Sequence, residues 1–171
     1  MRSKLLLAAA LTVSASAAVA AEDPGSRPSR DYVQMATESD TFEIMESTTA
    51  LAQSADPGIR AFAQQMIAEH GRTSAQLGDT AARSGLKPPP PHLSNDQSQF
   101  LAALQSLRGA EFDRAYARQQ VMGHHAALVT QQGYAQNGDT PALKQLARST
   151  VPLITQHLQM AEQLQARLGG S

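Results

Sequence analysis

The stretch "PGIRAFAQQMIAEHGRTSAQL" at residues 57–77 decides the fold. Projected at about 100° per residue, its apolar side chains form one stripe along a helix. Asp56 precedes the stretch as an N-cap, and Pro57 occupies the first helical position. A single histidine, His70, lies at the centre of the stripe. The stretch therefore predicts a long amphipathic helix over 57–84 that turns one imidazole toward the core.

A similar composition, rich in Ala, Gln and Met and without an alternating apolar pattern, continues on both sides. It predicts three more long helices, which span about 31–52, 110–136 and 141–168. It also predicts a short helix capped by Ser94 or Asn95. The segment "LKPPPPH" at 86–92 cannot be helical and predicts an extended connector. We expect an all-α, up-down four-helix bundle with this Pro-rich connector between helices two and three. The alternative is a pair of helical hairpins that dimerises through exposed apolar faces.

The start of the chain predicts a secretory signal peptide. Arg2 and Lys4 precede an apolar run that ends in the small residues "AVA". The run is too short and too rich in Ala and Ser for an uncleaved membrane anchor, which is the alternative. We expect an exported protein of the Gram-negative periplasm, with a signal peptide at 1–20, a flexible leader at 21–30 and a helical domain at 31–168.

Composition argues against several classes of function. Of 14 Lys and Arg residues, Arg2 and Lys4 lie in the signal segment, which leaves 12 against 15 Asp and Glu residues. This acidic balance argues against a nucleic-acid-binding surface. The chain has no Cys, so any metal would be held by His, Asp, Glu or Met. No transmembrane span is expected after the signal. A homodimer is possible, and the sequence indicates no particular protein partner.

Two further helices each place one histidine on their buried side. His157 lies in the middle of the apolar stripe of the last helix. His124 shares the broad buried side of the third long helix, whereas the adjacent His125 falls opposite, among arginines. At ~1.5 Å rise per residue, His70, His124 and His157 all lie near the mid-height of their helices, so they could converge in one layer. Each imidazole needs partners for its two nitrogens, and a metal or mutual hydrogen bonds can supply them.

The first long helix offers two acidic side chains to this layer. One of its faces turns Glu43 inward, and a neighbouring face turns Glu46 inward instead. We favour Glu43 as a fourth metal ligand or as an acceptor behind the histidines. Supporting hydrogen bonds around the histidines are expected from four residues: Glu69, Asp113, Tyr116 and Gln120.

Several of these residues also carry a family resemblance. The motifs are Glu43, "FAQQMIAEH" at 62–70, "FDRAY" at 112–116 with His124 downstream, and "VPLITQHL" at 151–158. In this order and spacing they resemble a bacterial family catalogued as domain of unknown function 4142, over about residues 31–168. The resemblance implies a ferritin-like four-helix bundle, exported to the periplasm or outer membrane, with no settled biochemical activity. Glu69 departs from the Asp that the family usually shows before the histidine of helix two.

The donor set separates the possible functions. Ferritin-like di-iron proteins carry Glu-x-x-His motifs, and this sequence has none. Three histidines and one Glu favour a single divalent transition metal, Zn²⁺ or Cu²⁺, in a protein that buffers or senses the metal in the envelope. The alternative is a structural or interaction module whose buried histidines form a metal-free hydrogen-bonded layer. An enzyme has little support, because the sequence shows no nucleophile motif, glycine-rich phosphate loop or cofactor fingerprint.

Overall fold

The computed structural model describes residues 25–169. Within that range the chain forms five α-helices and no strand: α1 (Arg27–Gln53), α2 (Pro57–Arg83), α3 (Asn95–Ser106), α4 (Gly109–Asn137) and α5 (Pro141–Gly169). The predicted all-α class is confirmed, and the predicted signal peptide lies outside the described residues. Among the described helices, none combines the length and the apolar character that crossing a membrane requires.

Capping side chains begin the helices where the sequence predicts. Asp56 accepts a hydrogen bond of 2.9 Å from the main-chain nitrogen of Ile59 at the start of α2. Ser94 and Gln97 form a reciprocal capping box at the start of α3. Gly85 follows α2 with a φ of 77°, the left-handed conformation that glycine adopts without strain. Local sequence therefore sets most of the helix boundaries.

The first helix begins four residues earlier than predicted. Ser26 caps α1 by accepting a hydrogen bond from the main-chain nitrogen of Ser29, and Pro28 lies in the first turn. Ser29 is fully buried and its hydroxyl lies 2.7 Å from that of Tyr134. The predicted leader at 21–30 is therefore too long. Its last four residues are helical because a serine cap followed by a proline initiates a helix.

The four long helices pack in the ring order α1, α2, α5, α4, and α3 lies against α1 and α4. Hydrogen bonds of 2.9 Å from Tyr32 to Gln131 and between Ser47 and Tyr116 show that α1 and α4 are antiparallel. The buried apolar side chains form two clusters. One contains Ile59, Phe62, Met66, Phe112 and Leu164, and the other contains Val33, Leu77, Leu143 and Ala147. On α2, α4 and α5, the inward histidine lies in the segment between these two clusters.

Candidate metal centre

Three histidines from three helices meet in the core. His70 of α2, His124 of α4 and His157 of α5 have exposed fractions of 1%, 0% and 0%. Their ring centroids are 5.3 to 5.5 Å apart. One ring nitrogen of each lies within 4.8 Å of the other two. We call these three residues the histidine layer. They meet because each lies near the middle of its helix, as the sequence predicts.

One nitrogen of each imidazole bonds an acceptor outside the layer. The pairs are Nδ1 of His70 with Oδ1 of Asp40 at 2.8 Å, Nδ1 of His124 with the main-chain oxygen of Gln120 at 2.8 Å, and Nε2 of His157 with the carboxylate of Glu69. A carbonyl or carboxylate oxygen only accepts, so in each neutral imidazole this nitrogen carries the proton. The three bonds thereby select one tautomer for every ring of the layer.

The remaining nitrogens then carry lone pairs. Nε2 of His70 lies 3.4 Å from Nε2 of His124, and Nδ1 of His157 is buried without a hydrogen-bond partner. Two lone pairs at that distance repel each other unless a proton or a cation lies between them. Two ligands at about 2.1 Å from a tetrahedral Zn²⁺ are themselves about 3.4 Å apart. The layer therefore has the donor atoms and the spacing to hold a metal ion.

Burial and nearby acids give the three imidazoles different proton affinities. Burial lowers the pKa of His157 to about 4, although the hydrogen bond to Glu69 partly offsets this. Burial likewise lowers the pKa of His124. Burial acts in the same direction on His70, but the hydrogen bond to Asp40 and nearby carboxylates outweigh it and raise its pKa. His124 and His157 are thus held neutral, as metal ligands must be.

Both acidic residues that the sequence offered as alternatives are buried. Glu43 and Glu46 are 1% and 0% exposed, because α1 packs against α2 on one side and α4 on another. Oε1 of Glu43 lies 3.8 Å from Nδ1 of His124. The other ring nitrogen of His124, Nε2, faces His70. Glu46 accepts a hydrogen bond of 3.0 Å from Nε2 of Gln120.

Asp40 is the residue that sequence reasoning missed. Besides the imidazole of His70, it accepts a hydrogen bond of 3.0 Å from the hydroxyl of Thr73. The signal was present in the sequence, since Ala36, Asp40, Glu43 and Ser47 recur at the spacing of one helix face. A projection of α1 that includes its short polar residues therefore identifies Asp40.

Two predicted supporting residues lie elsewhere. Oδ1 of Asp113 accepts a hydrogen bond of 2.6 Å from the hydroxyl of Ser54. The hydroxyl of Tyr116 lies 2.9 Å from that of Ser47. At ~1.5 Å per residue, the two side chains are displaced from His124 by about three and two helical turns along α4. The prediction that they orient a histidine is corrected: they share its broad side of the helix but not its depth.

Comparison with known proteins identifies the fold and the family. The structure is similar to the crystal structure of a DUF305 fragment from Deinococcus radiodurans, with a TM-score of 0.73 and 18% sequence identity over 84% of this chain and 99% of that chain. At that identity the likeness concerns the fold alone. No curated protein matches this chain. The family model for a domain of unknown function, DUF4142, matches residues 14–164, and the chain therefore belongs to the DUF4142 family.

Proposed function

We propose that this protein binds one divalent transition metal ion, Zn²⁺ or Cu²⁺, through His70, His124 and His157. The observation that carries the proposal is that three inward ring nitrogens lie within 4.8 Å of one another, each on an imidazole whose other nitrogen bonds an acceptor. Such outer bonds fix the ring orientation and increase the basicity of the ligating nitrogen. The role that follows is buffering or sensing of the metal.

The donor set favours these metals over an iron pair. Three imidazole nitrogens suit Zn²⁺ and Cu²⁺, and the layer has no bridging carboxylate. Glu43 enters the proposal as an acidic neighbour whose charge favours a cation in the layer, because it lies beside Nδ1 of His124. Three protein ligands leave a fourth position for a ligand from solution.

We also propose a fold class and a cellular location for the protein. We assign the chain to the ferritin-like class: α1, α2, α4 and α5 form a four-helix bundle, and α3 is an addition within the Pro-rich connector. The predicted signal peptide supports a periplasmic location, where the protein would meet metal ions that enter the envelope. No catalytic role is proposed.

One observation favours a second candidate function. The pKa of His70 is raised, chiefly by its hydrogen bond to Asp40 against the effect of burial. A doubly protonated His70 would donate its Nε2 proton to Nε2 of His124 across the 3.4 Å separation. The layer would then be a metal-free polar network that fixes the register of the helices. This alternative predicts that chelators leave the thermal stability unchanged.

Metal titration with a matched pair of variants tests the proposal. Tag-free protein is stripped with EDTA and titrated with Zn²⁺ and Cu²⁺ by calorimetry. We expect one ion per chain in the wild type and in His125→Ala, whose side chain is exposed on the same helix. His124→Ala should bind at least about 100-fold more weakly, because it removes a ligand. Equal affinity in the two variants, or no binding by the wild type, would contradict the proposal.

A further inference from the structure

Beside the histidine layer, four buried oxygen atoms between α1 and α4 have no hydrogen-bond donor. They are Oε1 and Oε2 of Glu43, Oε1 of Glu46 and Oε1 of Gln120. We call these three residues the acceptor cluster; none is more than 1% exposed. A buried acceptor without a donor is uncommon and costs free energy, and a buried charge costs more. Four such atoms on facing turns of α1 and α4 lack a partner, and a cation could supply one.

The register of the two helices brings the cluster together. Glu43 and Glu46 are one turn apart on α1, and Gln120 and Gly123 are one turn apart on the facing α4. Nε2 of Gln120 donates to Oε2 of Glu46 at 3.0 Å, which leaves Oε1 of the same amide as an acceptor. A Cβ at position 123 would lie 2.5 Å from Oε1 of Glu43. The carboxylate of Glu43 therefore occupies space that only a glycine on α4 leaves open.

The two carboxyl groups also disfavour each other's charge. Burial, followed by the charge of Glu43, raises the pKa of Glu46 well above its usual value. A divalent cation between the carboxylates would remove this repulsion and give the oxygens of Glu43 and Glu46 a charged partner.

A cavity connects Glu43, one member of the cluster, with the surface. It has a volume of about 370 Å³, lies between α1, α3 and α4, and reaches Glu43 and Gly123 at its inner end. Its apolar rim includes Met35, Phe100 and Met122, which are 42 to 50% exposed. Gly123 has no side chain to close the inner end. An ion can therefore approach Glu43 from solution without passing the histidine layer.

We infer that the acceptor cluster is a second cation site, for a hard divalent ion that prefers oxygen ligands, such as Mn²⁺ or Mg²⁺. Carboxylate and amide oxygens are the ligands of such ions, whereas the nitrogen donors of the histidine layer select softer ones. The inference does not depend on metal binding by the histidines, because the two sites use different atoms. It assigns to Glu43 and Glu46 a joint ligand role separate from that of the histidines.

Mn²⁺ titration followed by electron paramagnetic resonance tests the inference. We expect the wild type to bind one Mn²⁺ at this site, and Glu43→Gln and Glu46→Gln to weaken binding at least about tenfold, because each removes a charged ligand. The matched control is Glu38→Gln, which lines the same cavity and removes the same charge; its affinity should stay unchanged. Equal weakening in the control, or no bound Mn²⁺ at about 1 mM, would overturn the inference.

Pulsed EPR of the wild type and one histidine variant separates this site from the histidine layer. Pulsed EPR of the bound Mn²⁺ should show no directly coordinated imidazole nitrogen, and His157→Ala should retain the ion. A strong ¹⁴N coupling, or loss of Mn²⁺ in His157→Ala, would place the ion in the histidine layer. That result would overturn the second site while leaving the proposed function intact. Zn²⁺ binding, measured separately, reports on the histidine layer alone.

Discussion

Two polar clusters of this protein differ in whether their buried atoms have hydrogen-bond partners. Near the start of α1, the tyrosine network comprises the buried Ser29, Tyr32, Gln131 and Tyr134, with the half-buried Thr140 and the exposed Asp139 at its edge. The hydroxyl of Tyr32 donates to Gln131 at 2.9 Å, and the hydroxyl of Ser29 lies 2.6 Å from that of Thr140. Tyr32 and Tyr134 stack with ring centroids 4.1 Å apart. None of the buried side-chain atoms found without a partner in residues 25–169 belongs to this network.

The histidine layer and the acceptor cluster beside it are the opposite case. They contain five of the six partnerless buried atoms of the described chain: Oε1 and Oε2 of Glu43, Oε1 of Glu46, Oε1 of Gln120 and Nδ1 of His157. Both regions belong to the same tightly packed helices, so poor packing does not explain the difference. A polar cluster that serves only the fold satisfies its own atoms. The middle of the core leaves acceptor atoms without donors, as the two proposed ion sites require.

Addition of Zn²⁺ should produce the largest effect, through the histidine layer. Zn²⁺ at about 100 times its dissociation constant should raise the free energy of unfolding by ~2.7 kcal/mol, because the ion binds the folded state alone. Urea denaturation with Zn²⁺ and with EDTA measures the difference. Tyr32→Phe, in the tyrosine network, should show the same gain as the wild type. A midpoint that EDTA leaves unchanged would favour the metal-free layer.

Removing the outer acceptor of one histidine should have the next largest effect. Asp40→Asn weakens the hold on Nδ1 of His70, and Zn²⁺ affinity should fall about 10- to 100-fold, or ~1.4–2.8 kcal/mol. Asp113→Asn is the matched control, because Asp113 bonds Ser54 and should leave the affinity unchanged. Calorimetric titration checks both variants. A larger effect at Asp113 than at Asp40 would contradict the geometry of the layer.

A substitution in the tyrosine network should affect stability without affecting metal binding. Tyr32→Phe keeps the stacked ring but removes the hydroxyl that donates to Gln131. The buried amide oxygen then loses its donor, and the free energy of unfolding should fall by ~1–2 kcal/mol. Denaturation and Zn²⁺ titration of the same sample test this separation. Weaker Zn²⁺ binding in this variant would show that the two clusters are not independent.

The smallest predicted effect is a change in how stability depends on pH when Glu46 is replaced. The folded state raises the pKa of Glu46 above the usual carboxyl value of 4.5, mainly through burial. The protonated Glu46 side chain therefore contributes its full stability below pH 4.5. That contribution is lost as the pH rises through the pKa of Glu46 in the folded state. In EDTA, Glu46→Gln should therefore flatten the decline of stability above pH 4.5, by at most ~1.4 kcal/mol per pH unit. Identical pH profiles for variant and wild type would contradict a raised pKa.

Local sequence signals predicted the helices and the inward histidines. Asp56 and Ser94 cap helices as their types and spacing indicate. His124 was separated from His125 by helical angle alone, and the structure buries the first and exposes the second. A common depth of about half a helix for three histidines was enough to predict that they meet. These features depend on residues within a few turns of one another.

Features that depend on the packing of several helices were harder to predict. Glu43 and Glu46 were treated as alternatives because a single inward face was assumed, but α1 has neighbours on more than one side and buries both. Tyr116 was assigned to the histidines from its angle on α4, although it lies about two turns away along the axis. Projection gives the direction of a side chain well, but partners on other helices require depth as well as direction.

The central claim is that three imidazole nitrogens hold one metal ion, and X-ray absorption at the zinc edge tests it most directly. The sample is tag-free wild-type protein loaded with one equivalent of Zn²⁺ and dialysed. The account predicts retained zinc with three imidazole ligands at about 2.0–2.1 Å and one oxygen ligand from solution. Loss of the zinc on dialysis, or scattering from fewer than three imidazoles, would contradict it.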